Sequence, residues 1–130
     1  MGFDPRTMGK PVYEALNKLS LDHQGDNSTL KDQKNQAVEL YTYLSTWGLM
    51  RLKAEEKALS QEGKKQIVKT FFECLEKISE TKNLSSSDGL EILKKLDADD
   101  YLGLTGLGLI IAQEFSFWAT AVYVGIELGE

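Results

Sequence analysis

Apolar residues recur along this chain at intervals of three, four and seven, and no stretch shows the strict alternation of a half-buried strand. Proline occurs only at positions 5 and 11, so the next 119 residues can run as helices separated by polar loops. The pattern predicts an all-α protein, a compact bundle of about five helices ending in a long apolar C-terminal helix. A first helix is expected from about Lys10 to Leu19, with Pro11 in its first turn. Leu21 to Ser28 reads as a polar loop. A second helix, capped by Ser28 or Thr29, carries Leu30, Ala37, Tyr41, Leu44, Gly48 and Leu52 on one face, widened by Val38, Leu40 and Leu49. It should pause near Ser45–Gly48 and end near Leu59. Ser60 reads as the cap of a third helix, 61–82, whose face is Ile67, Phe71, Cys74 and Ile78, with Val68, Phe72 and Leu75 beside it and Lys65 and Lys69 on the other side. Asn83 is its expected stop. The run Ser85–Asp88 then reads as the cap of a short helix over 89–96.

The last segment, from Asp97 onward, has no Lys or Arg and six acids (Asp97, Asp99, Asp100, Glu114, Glu127, Glu130). Leu102 to Ile126 is long enough to cross a bilayer as a helix. Three features favour a core helix instead. Gln113 and Glu114 fall in its middle, where a charge in lipid is costly. No basic residue anchors either flank. Gly103, Gly106 and Gly108 weaken its first turns. Gly108, Ala112, Ser116 and Thr120 form a stripe of small residues, against which another helix can approach closely. Asp97, Asp99 and Asp100 sit where a helix dipole favours acids.

At 130 residues the chain reads as one domain spanning 1–130, with residues 1–28 allowed to be partly flexible. Its content of 42% hydrophobic and 27% charged residues is ordinary for a globular domain, large enough for a core without disulfide or metal. The single cysteine, Cys74, lies among Phe71, Phe72 and Leu75 and reads as a buried, reduced thiol. That composition, with a polar Met1–Pro11 of no signal-peptide character, points to the cytoplasm.

The net charge of −5 is unevenly placed. The six acids of the last segment leave residues 1–96 with 15 bases against 14 acids. Between Arg51 and Lys69 six bases (Arg51, Lys53, Lys57, Lys64, Lys65, Lys69) meet three acids (Glu55, Glu56, Glu62). The overall acidity argues against a general nucleic-acid binder, but this corner can make a local phosphate contact. Its plain alternative is a solvated corner between two helices.

Catalytic and metal-binding patterns are weak. His23 has no second histidine or cysteine near it, so a zinc site is not expected. Asp97, Asp99 and Asp100 lack the central glycine and terminal glutamate of a calcium loop. Gly103, Gly106 and Gly108 follow no strand and precede no Lys-Ser/Thr pair, so no phosphate loop is read there. Cys74 lacks a histidine partner. Glu114 is the best acid–base candidate, but a hydrogen bond to a tyrosine, tryptophan or backbone group, or an ion pair, is its default. No catalysis, metal or cofactor is therefore expected. Most aromatics fall at core spacing; Tyr43 and Trp47, four apart, could form an exposed docking patch.

Two stretches resemble a known family. Leu44 to Leu52, with its Gly48–Leu49 pair between apolar residues, is similar to a helix of the Cmr-type small helical subunit of type III CRISPR RNA-guided effector complexes. Leu93–Leu96 followed by Tyr101, Thr105, Leu109 and Ala112 resembles the approach to that family's last helix. The resemblance implies a non-catalytic subunit of antiviral defence that stacks with copies of itself. Its partners would be the other effector subunits, the crRNA and the target RNA, with no membrane. Its basic corner would face RNA through Arg51, Lys53 and Lys57, followed by Lys64, Lys65 and Lys69 on charge alone. The alternative is a helical adaptor or regulatory module without nucleic acid, docking through the Trp47 region.

Overall fold

The computed structural model describes residues 6–127 of the chain. Pro5, Glu130 and the first five residues of the polar N-terminal stretch, which entered the expectations above, lie outside the described residues. Within them the chain is all-α, with six helices: α1 (Arg6–Asp22), α2 (Asn27–Trp47), α3 (Leu49–Ala58), α4 (Glu62–Ser79), α5 (Gly89–Lys95) and α6 (Ala98–Val122). The sixth arises because the expected pause after Ser45 is a full break. Gly48 adopts φ +86°, a conformation strained for any residue with a Cβ, and separates α2 from α3. Tyr101 fixes the restart, its hydroxyl accepting the Met50 N–H at 3.1 Å.

α6 is the axis of the bundle, with α1, α2 and α4 packed on it. Leu104, Ile111, Ala112, Phe115 and Ala119 are buried on its inner face. They meet Val12 and Leu16 of α1, Leu40 and Leu44 of α2, and Ile67, Phe71 and Phe72 of α4 in one core. The small stripe faces inward at Gly108, Ala112 and Ser116, while Thr120, its last member, is exposed. A Cβ on Gly108 would come within 3.2 Å of Leu49 and 3.5 Å of Phe71. Two steps further along the stripe, the Ser116 hydroxyl donates to the Ala37 carbonyl at 3.2 Å, tying α6 to α2. By length and composition α6 could cross a membrane; here its inner face is the centre of the core.

One buried polar chain joins three helices. The Tyr123 hydroxyl donates to Gln33 Oε1 at 2.7 Å, and Gln33 Nε2 donates to Gln66 Oε1 at 2.7 Å. Gln33 is fully buried at a position the apolar pattern passes over. Burial pushes the Tyr123 hydroxyl well above the ordinary tyrosine range.

Helix ends depart from the expectations in instructive ways. α1 begins four residues early, because Met8 and Gly9 are buried and extend the helix; Pro11 therefore lies inside it rather than in the first turn. Asp26 caps α2 in place of Ser28 or Thr29, accepting from the Thr29 N–H at 3.1 Å and its hydroxyl at 2.7 Å. Those bonds hold the Asp26 carboxyl below its usual range. The α4 cap is Gln61, without a side-chain bond, rather than Ser60. α4 also ends at Ser79, three residues short, because Glu80 already turns left-handed at φ 60° and Asn83 repeats the turn at φ 67°. Asp97 caps α6 through the Asp100 N–H at 2.8 Å.

Candidate functional site

The two helices of the basic corner are joined by a short turn and present lysines to each other. On α3, Lys53 and Lys57 are four apart; on α4, Lys65 and Lys69 are four apart, so each pair shares a face. Together with Glu56 and the loop Ser85–Ser87 they line one groove of about 300 Å³. Lys57, Lys65 and Lys69 form no ion pair among the described residues. Lys57 and Lys69 are exposed and Lys65 is half-buried.

Lys53 differs from these three. Only 3% of it is exposed, its ammonium pairs with Glu56 at 2.8 Å, and it lies 5.0 Å from the centre of the Phe72 ring. A Cβ on Gly89, the first residue of α5, would fall 2.6 Å from its Cε. Lys53 is the post around which α3, α4 and α5 close, and it forms a wall of the groove. Arg51 and Lys64 do not line the groove. The Arg51 guanidinium lies 4.1 Å over the Trp47 ring. Trp47 is half exposed, at 50%, and Met50 beside it is exposed. Tyr43 is half-buried, donates to Glu55 at 3.4 Å, and has its hydroxyl pushed up by burial and then by the Glu55 charge. Tyr43, Trp47, Arg51 and Glu55 thus form a continuous row across the α2–α3 break, separate from the lysines.

The serine loop was read from sequence as a helix cap, and its chemistry lies elsewhere. Asp88 caps α5 without a side-chain bond. The Ser85 N–H and hydroxyl both donate to Glu76 Oε1, at 3.0 and 2.8 Å. The Ser86 hydroxyl donates to the Asn83 carbonyl at 2.8 Å and accepts from the Asp88 N–H at 3.1 Å. The Ser85 bonds hold the Glu76 carboxyl below the ordinary glutamate value. Glu76 therefore fixes the wall of the lysine groove from nine residues upstream, and only its helical position opposite a polar run could have suggested it.

Elsewhere, Cys74 is buried and burial pushes its thiol up to about 12, which makes it a poor nucleophile. His23 lies half-buried in the turn after α1. Glu114 takes the default expected of it: the Trp118 indole N–H donates to its Oε1 at 3.2 Å. Comparison of the chain with models of protein families, with curated proteins and with solved structures found no match.

Proposed function

We propose that the protein is a non-catalytic small subunit of a type III CRISPR RNA-guided interference complex, acting in the cytoplasm and touching the RNA backbone through the lysine groove. The observation that supports this reading is the convergence of Lys57, Lys65 and Lys69, without acidic partners among the described residues, beside the hydroxyl-bearing loop Ser85–Ser87. Ammonium groups at the mouth of such a groove suit successive phosphates, and serine hydroxyls add neutral donors. No base-reading element is needed, because in this role the guide supplies sequence by pairing. Stacking copies and the larger subunits would complete the RNA channel.

The test is RNA binding by the full chain as a function of salt, wild type against K57E/K65E/K69E. Three lost phosphate contacts should lower the slope of log affinity against log salt by about 2. An unchanged slope, with wild-type melting behaviour, rejects the reading. A second reading is favoured by the half-exposed Trp47 with Arg51 stacked on it. An exposed Trp–Arg pair is the kind of anchor protein interfaces use, so the adaptor role would rest on the row Tyr43–Trp47–Arg51. Capture of protein partners by wild type but not by W47A, with no RNA recovered, would favour it.

A further inference from the structure

A second groove, between α1 and α6, is lined by Arg6, Gly9, Lys10, Tyr13, Glu114 and Trp118 and has a volume of about 360 Å³. Its construction departs from what the bundle needs. Glu114 is the one charged residue between Asp100 and Glu127. Its carboxylate is half-buried and receives one hydrogen bond, from Trp118, to Oε1; Oε2 has no partner among the described residues. The carboxylate also packs on Gly9, where an added Cβ would stand 2.7 Å from Oε1 unless the acid moved. Glycine inside a helix is about 1 kcal/mol less favourable than alanine. A glycine kept inside a helix against this carboxylate departs from local propensity, as functional sites do.

The surroundings define what could complete it. Tyr13 is exposed and meets Trp118 edge to face, with centroids 5.2 Å apart, giving the groove an aromatic wall whose exposed ring is Tyr13. Lys10, exposed, adds positive charge at its mouth. The ligand that matches is planar, presents hydrogen-bond donors to the acid, and bears an anion. A cationic side chain would satisfy Glu114 but would face Lys10. Among nucleobases, guanine places two adjacent donors, N1–H and the N2 amino group, on its Watson–Crick edge. Adenine and cytosine offer one amino donor beside a ring nitrogen that would repel the carboxylate, and uracil offers one N–H between two carbonyls. We propose that this groove binds a guanine nucleotide. The base stacks on the Tyr13 ring, its Watson–Crick edge donates to Glu114, and its phosphate meets Lys10. This is independent of the lysine groove and of the role proposed for it.

The experiment uses the full chain carrying W47F, so that Trp118 is the sole tryptophan reporter. GMP, AMP, CMP and UMP are titrated against its fluorescence. GMP should quench saturably and bind at least about tenfold more tightly than the others, the discrimination expected of a charged hydrogen-bond acceptor. E114Q, checked for unchanged helicity and melting, should lose that preference. K10E should weaken GMP but leave guanosine unchanged. Competition by a uridine-rich RNA containing one guanosine distinguishes a nucleotide within a chain from a free one; either source supports the site. The proposal is overturned if GMP causes no saturable quenching up to millimolar concentration. It is equally overturned if all four nucleotides bind alike and E114Q changes nothing.

Discussion

Lys53 and Glu114 are both charged groups set among apolar residues, and they are treated in opposite ways. Lys53 is buried, ion-paired to Glu56, placed over Phe72 and covered by the start of α5. Glu114 is half-buried, has one hydrogen bond and sits in an open groove. A charge whose partners are all internal belongs to the architecture, whatever its sequence neighbours suggest. A charge left with unused hydrogen-bonding capacity is available to something outside. Each also lies against a helical glycine, and there the contrast is sharpest. At Gly89 an added Cβ would run into the Leu84 backbone carbonyl, which cannot move alone. At Gly9 it would meet the far end of the Glu114 side chain, which can swing away.

The largest effect should come from Gly89→Ala, which ought to destabilise the fold by about 2–4 kcal/mol in chemical denaturation. Wild-type stability would mean that α5 does not close on Lys53 as described. Next, Lys53→Ala should cost about 3 kcal/mol by stranding Glu56 and opening space over Phe72, whereas Lys53→Met, which keeps the apolar stem, should cost about 1 kcal/mol. Equal losses for both variants would show that the lost ion pair, and not the packing of the stem, sets the cost. Gly9→Ala should change stability by less than about 1 kcal/mol, since a helix gains from alanine what the displaced carboxylate loses. The change should instead appear in the Trp118 fluorescence, because its hydrogen bond is broken.

Smaller still, K57E/K65E/K69E should alter stability by less than about 0.5 kcal/mol, as expected for surface groups without partners. A large loss would place those lysines with Lys53 rather than with Glu114. The smallest effect concerns the Ser85 loop. Glu76 has a folded-state pKa below its ordinary 4.5, so it favours the folded loop at neutral pH. That contribution is fully present above 4.5 and is lost as pH falls through the lowered value. Protection of the Ser85 amide, measured against its intrinsic exchange rate at each pH, should therefore fall on acidification below about pH 4.5 and should not change with acid in E76Q.

The helical class and the faces of α2, α4 and α6 were legible because each helix buries one stripe, and periodicity reports stripes directly. A pause near Ser45–Gly48 was legible, but the full break was not, because the positive φ of Gly48 is set where Tyr101 of α6 meets the start of α3. Helix ends were less so. Local capping residues such as Ser28 and Ser60 compete with distant packing, and the burial of Met8 and Gly9 on α6 extended α1 past the point where local rules would start it. Of the basic corner, sequence located the charge but did not separate it. The 3–4 spacing that puts Lys53 beside Lys57 cannot show that one faces Phe72 and the other solvent.

By itself, then, the sequence determined an all-helical chain, its main apolar faces, its acidic last segment and its one concentration of positive charge. These are properties of spacing and composition, which are local. The tertiary structure alone decided which charges are satisfied internally. It buried Gln33 in a chain of hydrogen bonds, turned Lys53 inward, joined the Ser85 loop to Glu76 and opened a groove around Glu114. Those outcomes depend on which helices meet and at what distance, because a polar group's partners are found across the bundle and not along the chain.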